Sequence, residues 1–168
     1  MDPKIDPALL EKLREASGLR LDREGGFWHQ GEPIEHARTL AVLHRGIHRA
    51  PDGRWATRIG AEWGYLDVED AAFFVRRVEI AGETLRAQLA DGAWTELAAA
   101  ALAESAGITL GAGDALYLRV NGERARLTRA AQLSLSEAVR ELPGGTFALL
   151  LGDRLVAIGA DKGPEPRR

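Results

Sequence analysis

The chain matches itself. Displaced by 91 residues, Gly31-Glu32 falls on Gly122-Glu123, Arg38 on Arg129 and Arg49 on Arg140. With one residue added at the turn, Gly53 falls on Gly145, Ala56 on Ala148 and Gly60 on Gly152, while Trp55 meets Phe147, Ile59 meets Leu151 and Leu66 meets Ile158. Seven identities are thin evidence taken alone. The order of elements constrains more: strand, Gly-Glu turn, helix, glycine turn, strand, glycine, strand, written twice. A chain organised this way is expected to fold as two related α+β units from an internal duplication. Convergence of two independent α+β patterns is the alternative.

With 168 residues there is room for one domain or two small ones, and for a real core. The net charge of −3 leaves no basic surplus to neutralise a phosphate backbone, which argues against a general nucleic-acid binder. Without cysteine, disulfides, iron–sulfur clusters, thiolate zinc sites and cysteine nucleophiles are excluded. No run approaches the ~18 apolar residues of a membrane span, and the first residues have no secretory apolar region. A cytoplasmic protein without a membrane partner is expected.

Asp6 is suited to cap a short helix expected to start at Pro7, and Gly18 suits the position after its end. Phe27-Trp28-His29 reads as a strand. A helix is expected from Pro33 to about Arg49, with His44 and His48 inside its apolar arc. Strands follow at Arg54–Ile59 and Trp63–Val68, with a hairpin of Ala72–Ile80 and Thr84–Ala90. Arg76, Arg77 and Glu79 break the alternation of that hairpin and predict a bulge. Trp94–Ala106 reads as an alanine-rich helix. Leu116–Val120 is a strand, and Thr128–Leu142 a helix carrying Ala131, Leu135, Ala138, Val139 and Leu142 on one face. Phe147–Leu151 and Leu155–Ile158 close the chain as a hairpin. This divides it into an N-terminal helical arm (1–18), a first α+β unit (19–91), the alanine-rich helix with a second unit (92–160), and a disordered tail (161–168).

Each chemical candidate has an ordinary structural counterpart. His44 and His48, four apart on a helix, could share a metal. The residue after His44 is Arg45 where a metalloprotease needs Glu, so packed histidines and no metal site are expected. Asp67, Glu69 and Asp70 follow a strand, and Asp67 and Glu69 share a face. Paired carboxylates can serve as acid and base or hold a divalent cation; they equally pair with Arg58 or Arg76. Arg38 and Arg129, at matching places near the starts of two helices, can grip phosphate or carboxylate bidentately or form internal salt bridges. Trp28, Trp55 and Trp63 can line a pocket or fill a core. No glycine-rich phosphate loop or nucleophile elbow is present.

The pattern Phe27-Trp28-His29-x-Gly31, Ile34, Arg38, Leu43, Asp52-Gly53, Glu62, Val68-Glu69-Asp70 and Phe73 resembles the DUF1285 family. So do Tyr117-Leu118-x-Val120, Gly122, Arg129, Phe147 and Gly159. The resemblance spans Gly18 to Gly159. It implies a two-part α+β protein with repeated motifs, the C-terminal part loosely pleckstrin-homology-like. It also implies a site between the halves for a nucleotide-like ligand, and a role in signalling. The chain departs from that pattern at His36, where the family tends to be basic, and at His44, which replaces a Phe. Ile59-Gly60 stands in place of a Thr-Pro before Glu62, and the Trp94–Ala106 segment has no counterpart.

The leading expectation is a non-enzymatic regulatory module that binds a small anionic ligand between the units without a cofactor. Its ligand residues would be Trp28, His29, Arg38, Trp63, Glu69, Asp70 and Arg129, none of them catalytic. The alternatives are a carboxylate- or metal-dependent enzyme using Asp67, Glu69 and Asp70, and a protein-interaction scaffold that docks through a strand edge.

Overall fold

A computed structural model describes residues 7–164. The chain is an α+β protein, mostly sheet, in two compact units that meet in sequence between Ala72 and Phe73. The first unit holds α1 (Pro7–Glu15), β1 (Leu19–Leu21), β2 (Phe27–His29), β3 (Glu32–Pro33), α2 (Ala37–Arg45), β4 (His48–Arg49), β5 (Trp55–Ile59) and β6 (Glu62–Val68). Its sheet runs β3-β2-β1-β6-β5-β4, antiparallel except for the parallel pair β1–β6. Leu21, Phe27, Leu43, Ala56 and Leu66 are buried. The buried Thr57 hydroxyl donates to the Leu43 carbonyl at 2.7 Å and ties α2 to β5.

The second unit holds β7 (Phe73–Ala81), β8 (Thr84–Leu89), β9 (Trp94–Ala98), α3 (Ala99–Glu104), β10 (Ile108–Leu110), β11 (Leu116–Val120) and β12 (Glu123–Leu127). It continues with α4 (Arg129–Leu135), β13 (Val139–Leu142), β14 (Thr146–Leu151) and β15 (Arg154–Ala160). Its sheet runs β13-β14-β15-β10-β11-β12-β7-β8-β9. One contiguous core joins Val75 and Leu85 at one end of this sheet to Leu149, Leu151 and Val156 at the other, with Ala99, Leu102, Ala131 and Leu135 from the helices. The sheet therefore curls. The Gly82-Glu83 turn reaches the Gly152 turn, where an added Cβ would lie 3.3 Å from Gly82 backbone.

Strands β10, β11, β12, β13, β14 and β15 repeat the order and directions of β1, β2, β3, β4, β5 and β6. The registers agree as well. Ala56 pairs with Tyr65 and Thr57 with Gly64; 92 residues on, Ala148 pairs with Ala157 and Leu149 with Val156. Helices α2 and α4 both join the third strand to the fourth, and α1 and α3 both precede the first. The second sheet adds β7, β8 and β9, because β7 pairs in parallel with β12. The β7–β8 hairpin thus belongs to the second sheet, with the expected bulge between Val75 and Arg77. In the first unit the matching strand β3 is an edge, and Pro33 lacks the N–H that a further strand would need.

Three helices are shorter than the sequence patterns predict. Helix α2 starts at Ala37, with His36 as its cap, and stops at Gly46. The β5 backbone lies so close that a Cβ on Gly46 would be 2.2 Å from the Arg58 carbonyl oxygen, and Arg58 N–H donates to Gly46 O at 3.1 Å. Pro33 lies in β3 and His48 in β4, so the pair of helical histidines four apart does not exist. Trp94–Ala98 is a strand, with Leu97 opposite Leu85; pairing with β8 overrides the helix propensity of its surroundings, and the helix is confined to Ala99–Glu104. The predicted helix to Leu142 ends at Leu135. Ser134 and Ser136 hydroxyls donate back to Ala130 and Leu133 carbonyls, a short 3-10 turn follows, and Val139–Leu142 pairs with β14 as a strand. Asp161 is tied down by hydrogen bonds rather than belonging to a loose tail. Asp6 and residues 165–168 lie outside the described residues.

Candidate functional site

In the first unit Trp28 pairs with Arg20, and Arg20 with Asp67, across three adjacent strands, which puts the three side chains on one face. The Arg20 guanidinium lies 4.8 Å from the Trp28 ring and forms an ion pair with Glu69, each side chain about a third exposed. The Trp28 indole N–H donates to Asp22 at 2.7 Å, and Asp22 also accepts from Glu24 N–H at 2.9 Å and Gly26 N–H at 2.8 Å. Burial pushes the Asp22 carboxyl up, but the indole, the two backbone N–H groups and Arg20 outweigh it and hold the group below the usual carboxylate range. Glu69 N–H donates to Leu21 O at 3.0 Å, which fixes the carboxylate at the end of β6.

The second unit repeats this arrangement with a different arginine. Tyr117 pairs with Thr109 as Trp28 pairs with Arg20, and Asp161 N–H donates to Leu110 O at 2.9 Å as Glu69 N–H donates to Leu21 O. The guanidinium over Tyr117, 3.7 Å from its centroid, belongs to Arg124 of β12. Arg124 reaches both oxygens of Asp161, and Thr109 hydroxyl and Gly163 N–H add to the carboxylate. Burial raises the Asp161 carboxyl; Arg124, Gly163 and Thr109 together overcome that and lower it. The topology places the aromatic ring and the carboxylate, and either β1 or β12 supplies the guanidinium.

Trp63 belongs to a different cluster. Arg14 of α1 lies 3.8 Å over its ring, and Tyr65 and His48 meet it edge-on at 5.3 and 6.1 Å. The Tyr65 hydroxyl donates to Glu11 at 2.7 Å and lies 3.0 Å from Asp52, and Arg54 bridges Glu15 and Asp52 at 2.7 Å each. Hydrogen bonds to Glu11, partial burial and Asp52 push the Tyr65 phenol up to about 12. Arg54 raises its own affinity for the proton through Glu15 and Asp52, and holds both carboxyls low. These contacts fasten α1 to the sheet.

Of the residues singled out from sequence, Trp28 and Glu69 therefore meet through Arg20. His29 is exposed, opposite Glu32, and Asp70 is half-buried just past β6. Arg38 is exposed in the first turn of α2 and Arg129 exposed as the first residue of α4, in the other unit. Sequence reasoning missed Arg20, Asp22, Tyr117, Arg124 and Asp161. β1 is only three residues long, and β1–β2 matches β10–β11 at a separation of 89 rather than 91, because the β11–β12 hairpin is two residues per strand longer. Among the described residues no group of three His, Asp or Glu is placed to hold a metal, and no helix is long and apolar enough to cross a membrane.

Two solved structures share this fold. A DUF1285 family protein from Silicibacter pomeroyi DSS-3 superposes with a TM-score of 0.63 at 19% identity, over 85% of this chain and 80% of that one. A DUF1285 family protein from Shewanella baltica OS155 gives a TM-score of 0.50 at 16% identity, over 72% of this chain and 91% of that one. No family profile and no curated protein matches the chain. At these identities the likeness is one of fold, and it agrees with the resemblance to the DUF1285 family drawn from the Trp28 and Val68-Glu69-Asp70 motifs.

Proposed function

We propose that this DUF1285-like chain is a non-enzymatic binding module of two duplicated α+β units, and that its ligand is an anion. Arg38 and Arg129 carry the reading. The N-terminal end of a helix favours acidic side chains, yet neither α2 nor α4 has one in its first turn. Each instead presents an exposed arginine that makes no ion pair among the described residues. A guanidinium in that setting is stabilised by a carboxylate or phosphate brought from outside.

The carboxyls of Glu15, Asp22, Asp52 and Asp161 are held below the usual range by internal donors and serve as structural anchors. In the triplet Asp67, Glu69 and Asp70, Glu69 is engaged with Arg20. In the nucleotide-like form of the reading, Arg38 meets the phosphate. Trp28, His29, Glu69 and Asp70 are then the candidates for base and sugar contacts, while Trp63 is covered by Arg14 of α1. The matched strand orders and registers support the duplication, and the curled second sheet with α4 against it is consistent with a pleckstrin-homology-like unit.

A thermal-shift series with inorganic phosphate, pyrophosphate, ATP, GTP and poly-glutamate at fixed ionic strength tests this, because a ligand that prefers the native state raises the midpoint. The expected result is a rise with at least one of these anions that Arg38→Gln or Arg129→Gln removes. A panel without any shift, or a shift that survives in both variants, overturns the reading.

A further inference from the structure

Behind each of these arginines stands an exposed aliphatic side chain on the same helix face. From this we infer that the anion is carried by another protein, in an acidic amphipathic segment that sets carboxylates beside an aliphatic residue. The inference rests on Arg38 and Arg129 being anion contacts, and it specifies what bears the charge.

On α2, Arg38, Val42 and Arg45 stand at i, i+4 and i+7, which places them within about 60° of arc. All three are exposed, Val42 by 40%. On α4, Arg129 and Leu133 stand at i and i+4, and Leu133 is 64% exposed. The buried faces lie elsewhere, at Leu43 and His44 on α2 and at Ala131 and Leu135 on α4. Arg38 corresponds to Arg129 and Val42 to Leu133 at the 91-residue separation that aligns the units. A single exposed aliphatic residue needs no explanation. The same arginine–aliphatic pair at the same place in both units is not required by either core.

Charge complementarity selects the occupant. Neither helix, ARTLAVLHR or RAAQLSL, contains an acid, although the chain as a whole is acidic. Arg38, Arg45 and Arg129 form no ion pair among the described residues. Arg38 and Arg45 are seven residues apart, roughly 10 Å along the axis. That matches two carboxylates seven residues apart on a partner helix, with an aliphatic side chain between them against Val42. A bound nucleotide would engage the arginines but leave Val42 and Leu133 in water. One aliphatic side chain per short helix is too little for a membrane surface, which needs a continuous apolar face.

The test measures anisotropy of a labelled three-heptad peptide, with Glu and Leu at matching spacing, against the full-length chain. Replacing its Leu by Ser, replacing its Glu by Gln, and using the Val42→Ser/Leu133→Ser protein should each weaken binding by about tenfold. Both protein substitutions are at exposed positions, and unchanged circular dichroism verifies the fold. Equal affinity for the Leu and Ser peptides, or no effect of the protein substitutions, overturns the inference. So does binding to phosphatidylserine vesicles with none to the peptide. If poly-glutamate or ATP raises the midpoint through Arg38 but the Leu peptide binds no tighter than poly-glutamate, the inference falls while the anion reading stands. If Arg38→Gln and Arg129→Gln alter neither measurement, both fall.

Discussion

Asp161 holds Arg124 through both carboxylate oxygens, at 3.0 Å to Nε and 2.7 Å to Nη2, with the two side chains 9% and 17% exposed. The guanidinium is at the same time stacked on Tyr117, which is 4% exposed. Removing one charge from such a pair leaves the other buried and uncompensated. Asp161→Asn is therefore expected to lower unfolding free energy by about 2–3 kcal/mol in urea titration. The matching Glu69→Gln, at a pair about a third exposed, should cost about 0.5 kcal/mol or less. Equal losses at the two sites would show that burial does not separate them.

The acid side of the stability curve follows from the same groups. Asp22 and Asp161 bind protons less readily folded than unfolded. Their stabilisation is complete above the ordinary carboxylate value near 3.9 and is lost as pH falls through their lower folded values. Urea midpoints should thus hold their contribution from neutral pH down to about 5 and decline below about 4. Asp161→Asn should flatten that decline. A variant with an unchanged acid slope would remove Asp161 from the account.

On the alkaline side Tyr65 works in the opposite direction. Its phenol is held neutral up to about 12, so its contacts with Glu11 and Asp52 stabilise the fold fully below the ordinary value near 10. They are lost as pH rises toward 12. The difference in urea midpoint between the parent chain and Tyr65→Phe should shrink over that interval. Hydrogen exchange in residues 7–15 should be faster in the variant at neutral pH, and equal exchange would detach α1 from this contact.

Gly46 sets the end of α2 by proximity rather than by backbone freedom, since its φ is −80°. A methyl group there would collide with the Arg58 carbonyl. Gly46→Ala should destabilise by about 3 kcal/mol or more, measured by urea or heat. Gly53→Ala, in the turn with open space around it and φ at +83°, should cost about 1 kcal/mol. Similar costs at both glycines would contradict the close approach of β5.

Residue order alone makes legible those parts whose partners are neighbours in the chain. The hairpins β5–β6, β7–β8 and β14–β15 are legible because short runs rich in apolar residues flank turns at Gly60, Gly82 and Gly152, all with positive φ. A strand, a glycine turn, a helix and a closing pair of strands are legible in each half, whereas β1, β3, β4, β9, β10, β12 and β13 are not. Of the candidate site, Trp28 and Glu69 are marked by the sequence, but their partners Asp22 and Arg20 are not. Long-range packing makes Trp94–Ala98 and Val139–Leu142 strands, because edge pairing outweighs local helix propensity there. It also stops α2 before His48, because β5 passes too close for any residue but glycine. The parallel pairs β1–β6 and β10–β15 each join a three-residue strand to one most of a unit away, and local periodicity carries no sign of such partners. That is why a ring and a carboxylate in matching places could take their arginine from β1 in one unit and from β12 in the other.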